Sequence, residues 1–457
     1  MRKPGIPLRV SLVSGCSFEC RGPIAACVSV VVRTLCAAAA IVLLAAPSAT
    51  ASETASVRQV VTYRSLAELE RSEARIVWTL PELRTAVVSS RSRVGTQPVL
   101  RRALTVDEPA LAETYQPGVA WEWQWKASRL DEVPEWVLRA AASVKIAVVD
   151  SGADLTAPDL AAKAPRTWSI LSRSHRVRDP LGHGTFVASL AAGSVSNGIG
   201  ISGFGGDAQL LVVQALDADG YITDVDEAAA IVYAVRHGAK IVNLSIGGSE
   251  TSAVEQRALR WAAHRGVLVV AAAGNGHDEG NQPEYPAALL QPLGSRGRAG
   301  IGLAVGATAM DGSRAPFSNT GSYLSLAAPG YNVFAAESAD ADWPRAQLPW
   351  ASPGSYGWAS GTSFAAPEVA GAAALVWAAN PRLTAPQVAK VLKQSAVGRA
   401  WTPALGWGRL DAAAAVELAL KTRGAALRRS SQGPRGTRSS RRRSNRRNVV
   451  AALAAAR

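Results

Sequence analysis

From Ser143 onward the chain alternates short apolar runs with longer segments of helical periodicity. Val144–Val149, Leu210–Gln214, Ile241–Leu244, Val267–Ala272 and Gly302–Ala307 are apolar along almost their whole length, so a strand built from any of them must be covered on both faces. Between them, Gly184–Ala192, Asp224–His237 and Ser252–His264 read as helices, with Gly238 and Gly266 positioned to end the last two. This pattern predicts an α/β fold: a mainly parallel central sheet with helices on both faces. No internal repeat is present.

The ends of the chain have a different composition. Met1–Ala51 carries Arg2, Lys3, Arg9, Arg21 and Arg33, then the apolar run Cys36–Ala46 and an A-x-A site at Ala49, Thr50 and Ala51. That order predicts an export signal, and hence a secreted or periplasmic protein. The apolar run is shorter than the roughly 20 residues a spanning helix needs, so no stable membrane span is expected after cleavage. All four cysteines lie in this segment, so the cleaved protein would be free of thiols. At the other end, Lys421–Arg457 holds twelve basic residues and no acid, which predicts a disordered basic tail. The net charge of +14 comes from these two ends; Ser52–Leu420 sums to −2. The high isoelectric point therefore says little about the substrate, and no specific nucleic-acid partner is expected.

Residues 52–115 form a further small unit. Val57–Tyr63, Ala74–Leu80 and Leu83–Ser89 are strand candidates, with a short helix expected at Ser65–Ser72. Arg91–Val106 is rich in arginine and serine and contains the dibasic pair Arg101-Arg102. Trp121, Trp123 and Trp125 then alternate at strand spacing, predicting an extended arm packed on the main domain, which runs from 116 to 420.

Three residues at the edges of β/α units carry candidate chemistry. Asp150 ends the strand V-K-I-A-V-V-D, at the carboxyl edge where α/β sheets gather their ligands. Taken alone, it could equally be a turn residue. His183 sits between glycines just before a helix, whereas His237 and His264 fall in last helical turns, where a cation merely offsets the dipole. Ser363 lies in G-T-S-F-A-A-P, at the first turn of a long apolar helix ending before Pro381. A serine there is commonly only an N-cap. With Asp150 and His183 it completes the set that nucleophilic catalysis requires: nucleophile, base and a carboxylate to orient the base.

Asp150-Ser151-Gly152, Gly182-His183-Gly184-Thr185 and Gly361-Thr362-Ser363-Phe364-Ala365-Ala366-Pro367 resemble, in order, the three signatures of the subtilisin-like serine proteases. Ala271–Asn275 resembles the segment carrying that family's oxyanion asparagine, here Asn275. Asn243–Gly248 resembles its substrate-pairing strand, which implies Ser245, Ile246 and Gly247 on one side of the cleft and Ala273 and Gly274 on the other. The resemblance runs from about Trp121 to Leu420. It implies a three-layer fold, a secreted serine endopeptidase acting on polypeptides through an acyl-enzyme, and a precursor whose residues 52–115 act as its own propeptide inhibitor. A catalytically silent polypeptide-binding protein is the alternative. No cofactor is expected for catalysis. Asp159 and Asn197 match positions that hold structural Ca2+ in this family. The loop before Tyr285-Pro286 carries Asp278, Glu279 and Glu284, and Glu284 falls next to the family's pocket-bottom position. Either all three acids face solvent beside a broad apolar pocket, or Glu284 implies a preference for Lys or Arg at the cleaved bond. Departures are Phe364 where methionine is frequent, Glu368 where histidine is frequent, and longer loops near Pro292–Gly300 and Asp340–Pro353.

Overall fold

The computed structural model describes residues 57–65, 69, 74–90, 97–103, 122–198, 200–341 and 356–431. The expected export signal Met1–Ala51, Trp121, most of the expected helix Ser65–Ser72, most of the loop at Asp340–Pro353 and the residues beyond Ser431 lie outside them.

A four-stranded antiparallel sheet comes first: β1 (Val57–Thr62), β2 (Arg75–Leu80), β3 (Thr85–Ser90) and β4 (Gln97–Pro98), in the order β2-β3-β1-β4. Its inner residues Val60, Leu80, Leu83 and Val87 are buried in one apolar cluster with the helices α2 (Asp224–Arg236) and α3 (Ala253–His264), described below. Polar links reinforce this seam. Arg257 donates to Thr85 Oγ1 at 2.9 Å, and Arg236 is ion-paired with Glu82. The next strand, β5 (Arg101–Ala103), pairs with β9 (Tyr221–Thr223), and Leu100 exchanges two hydrogen bonds with Asp224.

The central sheet has seven strands, all parallel: β6 (Lys145–Asp150), β7 (Arg166–Ser169), β8 (Gln209–Gln214), β10 (Ile241–Leu244), β11 (Leu268–Ala272), β12 (Gly302–Thr308) and β13 (Leu326–Pro329). Their order is β13-β12-β11-β10-β6-β8-β7. Side chains alternate across the strands as the pleat requires. Ile146, Val148 and Val270 enter the cluster containing α1 (His183–Ala192) and α4 (Thr362–Ala379). Ala147, Val149, Val242 and Val269 enter the cluster containing α2 and α3. The sheet is thus covered on both faces, as the apolar runs required. The sequence did not disclose β7, β13 or the hairpin of β14 (Val333–Ala336) with β15 (Tyr356–Ala359).

Two expectations are corrected. Trp123 and Trp125 do not lie on an extended arm, because Trp123–Ala127 is a short helix. Its indole N–H groups reach out to the carbonyls of Asn332 at 2.8 Å and Ser202 at 2.5 Å, so tertiary partners override the local alternation. The ordered chain also does not end at Leu420. The helix that starts at Ala412 continues to Ser431, and Arg423 donates to the Ala379 carbonyl at the end of α4. That contact satisfies one of the carbonyls a helix terminus leaves open.

Candidate active site

Strand order decides which loops meet. β10 and β8 flank β6 on opposite sides, and the segments leaving β6, β10 and β11 all emerge at the carboxyl edge of the sheet. Asp150 is the last residue of β6 and is fully buried. His183 is the first residue of α1, and its Nδ1 lies 2.7 Å from Asp150 Oδ1. With that carboxylate oxygen as acceptor, Nδ1 carries the proton and the lone pair lies on Nε2. Close approach of the two loops depends on glycine. A Cβ at Gly184 would come within 2.3 Å of the Gly152 carbonyl oxygen.

Asp179, which the sequence reading passed over, holds this junction together. It accepts from the backbone N–H groups of Gly182 (3.0 Å) and Thr185 (2.7 Å) and from the hydroxyls of Thr185 (2.5 Å) and Ser151 (2.7 Å). Burial pushes its carboxyl up, and the bonds from Thr185 and Ser151 oppose that shift. The same Ser151 hydroxyl accepts from the Gly184 N–H. Asp179 therefore caps the helix that begins with His183, joining it to the loop after Asp150. Its only signal in the sequence is an acid four residues before the histidine.

Ser363 sits in the first turn of α4 and is largely buried. Its hydroxyl donates to the Ser245 carbonyl at 3.2 Å. Phe364, the departure noted above, packs its ring 5.4 Å from His183 and 4.6 Å from Phe186. Asn275 follows β11. Its side-chain oxygen accepts from both the N–H and the hydroxyl of Thr362, each at 2.9 Å, which fixes the amide so that its N–H2 faces the other way.

The residues expected to wall the cleft also assemble from separate segments. Ser245–Gly247 follow β10, and Gly248 forms a two-bond bridge with Tyr285. Ala273 and Gly274 follow β11. Between them stands Glu284: a Cβ at Gly247 would meet its Oε2 at 2.4 Å, and one at Gly274 would meet its Cδ at 2.3 Å. Asn319 donates to Glu284 Oε1 at 3.4 Å. The neighbouring acids Asp278 and Glu279 are exposed.

Asp159 and Asn197 also meet, with Asn197 Nδ2 at 2.9 Å from Asp159 Oδ1. Tyr356 Oη and the Ile201 N–H donate to Asp159 Oδ2. A second carboxyl, that of Glu122, is pushed up to about 7 by burial, with the charge of Asp159 adding to the effect. Two carboxyl groups in one partly buried place, beside an amide that can turn its oxygen inward, suit a hard cation. Among the described residues no three acids, histidines or cysteines gather, so other oxygens would have to come from backbone or water.

A mainly parallel α/β sheet that brings a buried aspartate–histidine pair, a helix-start serine and an anchored asparagine to one edge defines the serine-hydrolase class. A family model described as "Subtilase family" matches residues 141–408. Thermitase of Thermoactinomyces vulgaris is 33% identical over 253 residues, covering 55% of this chain and 81% of that protein. Subtilisin BL of Lederbergia lenta is 37% identical over 273 residues, covering 60% and 90%. The crystal structure of fervidolysin from Fervidobacterium pennivorans, titled a keratinolytic enzyme related to subtilisin, shares the fold with a TM-score of 0.64 at 23% identity. That match covers 81% of this chain and 62% of fervidolysin. The chain belongs to the subtilase family, and it is a serine-type endopeptidase whose substrates are peptides. Among the described residues no helix is long and apolar enough to cross a membrane.

Proposed function

We propose that this endopeptidase works through Asp150, His183 and Ser363, with Asn275 in the oxyanion hole. The observation that carries the reading is the buried 2.7 Å contact of His183 Nδ1 with Asp150, which fixes the tautomer that leaves Nε2 basic. The Ser363 hydroxyl donates to the Ser245 carbonyl. A substrate strand lying along Ser245–Gly247 supplies its own N–H to that carbonyl, releasing the hydroxyl to His183. Ser363 Oγ then attacks the peptide carbonyl as its proton passes to Nε2, and the amine leaves with that proton. Water repeats the sequence to free the acid. The anchored Asn275 N–H2 and the Ser363 N–H at the start of α4 hold the oxyanion. Asp150 orients the imidazole and stabilises its charged form.

The chain is exported and matured from a precursor, and residues before the core serve as its inhibitor. The basic-then-apolar leader ending at Ala51 supports export. The apolar seam of the four-stranded sheet with α2 and α3, and β5 in an extended position beside β9, support the inhibitor role. Asp159 and Asn197 would hold a structural Ca2+ ion, which would supply positive charge against buried carboxylates, outside the hydrolytic steps. A silent binding protein has no need of the anchored Asn275 or the capped His183.

The test is labelling with a serine-directed fluorophosphonate followed by peptide mapping. The expected product is a single adduct on Ser363, and Ser363→Ala should label nowhere and leave casein intact. An alanine variant that digests casein at the parent rate overturns the assignment.

A further inference from the structure

At the opposite edge of the central sheet, a cavity of about 660 Å³ opens where β11 and β12 begin, at Leu268 and Gly302. Parallel strands separate it from the carboxyl edge, and at about 3.3 Å per residue it lies roughly 20 Å from Asn275 along β11. One wall is the loop Gly297–Ile301. The other is the helix α5 (Ala385–Ser395) and the segment that follows it. Arg298, Lys390, Lys393 and Arg399 line the cavity and no acidic residue does, within a body whose net charge is −2.

Among the described residues none of these four cations is paired with a carboxylate. Lys393 is half-buried, and its ammonium donates to the Gly297 carbonyl at 2.6 Å. Burial pushes its pKa below the ordinary lysine range. A partly buried cation with no counter-charge costs stability that an anion in the cavity would offset. Arg298 lies over the Trp407 ring at 5.5 Å, which holds its guanidinium at the mouth. The volume falls within the range that takes a small molecule, and the charge pattern sets its sign.

We propose that this cavity is a binding site for a compact anion bearing two or more phosphate or carboxylate groups, separate from the cleft that hydrolyses peptides. Lys393 contacts the ligand from the floor, while Arg298, Lys390 and Arg399 close on it from the rim.

The test is calorimetric titration of the full chain carrying Ser363→Ala, which prevents self-digestion, in two arms. One arm uses fructose 1,6-bisphosphate and the other tricarballylate, each against sodium chloride of equal ionic strength. At least one anion should bind with one-to-one stoichiometry and weaken as salt rises. The double variant Arg298→Glu/Lys390→Glu, both positions exposed, should weaken that binding at least tenfold while keeping the parental melting temperature in chloride. Binding of the bisphosphate alone identifies a phosphate ligand, and binding of the tricarboxylate alone a carboxylate. The basic segment after Leu420 is unchanged in the variant, so anion binding there would persist in it. Equal titration of parent and double variant, or no binding of either anion beyond the chloride control, overturns the proposal.

Discussion

The hydroxyl of Ser245 donates a 2.6 Å hydrogen bond to the backbone carbonyl of Ser363. In an uninterrupted helix that carbonyl would accept from the N–H four residues on, but position 367 is proline and has none. Asn243 Nδ2 in turn donates to the Ser245 hydroxyl at 2.9 Å. The proline that would weaken α4 therefore opens an acceptor, and the strand forming one cleft wall fills it. Ser363, the proposed nucleophile, and the segment after β10 proposed to bind substrate are locked together by this bond.

Ser245→Ala should leave a buried carbonyl unsatisfied and lower stability by about 1–3 kcal/mol, with kcat falling more than KM rises. Adding Pro367→Ala restores a helical N–H beneath the Ser363 carbonyl. The double variant should therefore regain part of the loss in urea unfolding. If it is no more stable than Ser245→Ala alone, the proline is not what opens the acceptor.

Glu284 stands between Gly247 and Gly274, the residues that border the cleft where the first substrate side chain would enter. A carboxylate and a cation about 4 Å apart at an effective dielectric near 20 attract by roughly 4 kcal/mol before desolvation. The enzyme should therefore turn over Lys and Arg substrates at least about tenfold faster in kcat/KM than Leu or Phe substrates. Glu284→Gln should lose that preference selectively. Equal profiles for the parent across basic and apolar substrates end the idea.

Glu368 contributes a pH dependence unrelated to catalysis. It is fully buried in α4, and among the described residues neither carboxylate oxygen has a hydrogen-bond partner. Burial pushes its pKa well above the ordinary glutamate value of 4.5. A raised carboxyl keeps its proton in the folded state while the unfolded chain releases one. Its stabilising contribution is thus complete below that ordinary value and is lost as pH rises towards the folded pKa. The slope is about 1.4 kcal/mol per pH unit for one proton. Glu368→Gln should remove it, so its stability relative to the parent should improve steadily from pH 4 to pH 7 in urea titrations. A constant difference across that range would count against a neutral Glu368.

Calcium at Asp159 and Asn197 should stabilise only the folded chain, by about 2.7 kcal/mol at one hundred times Kd. Chelator should therefore lower the melting temperature, and Asp159→Ala should abolish most of that response. An unchanged melting curve in chelator removes the ion from the account.

Much of this was legible in the linear chain. The apolar runs from Val144 to Ala307 specify buried strands because a segment without a polar face has nowhere to put one. Asp150, His183 and Ser363 each announced themselves by a glycine-framed turn at an element boundary. Local periodicity failed at Trp123 and Trp125, where the spacing of two residues implied a strand. The helix there follows from distant carbonyls at Asn332 and Ser202, which no local pattern encodes.

By itself, then, the sequence determined the α/β class and the order of the main apolar strands and helices, and it singled out a set of candidate reactive side chains, since these follow from periodicity and residue chemistry. Only the tertiary structure decided which groups support them. Asp179 gathers four donors from two loops, and Thr362 turns the Asn275 amide. Of three acids near one another in sequence, it put Glu284 alone between two glycines. It also joined Arg298 to Lys390, Lys393 and Arg399 around one cavity. Each of these depends on close approach between residues far apart in the chain, and strand order and packing set those distances.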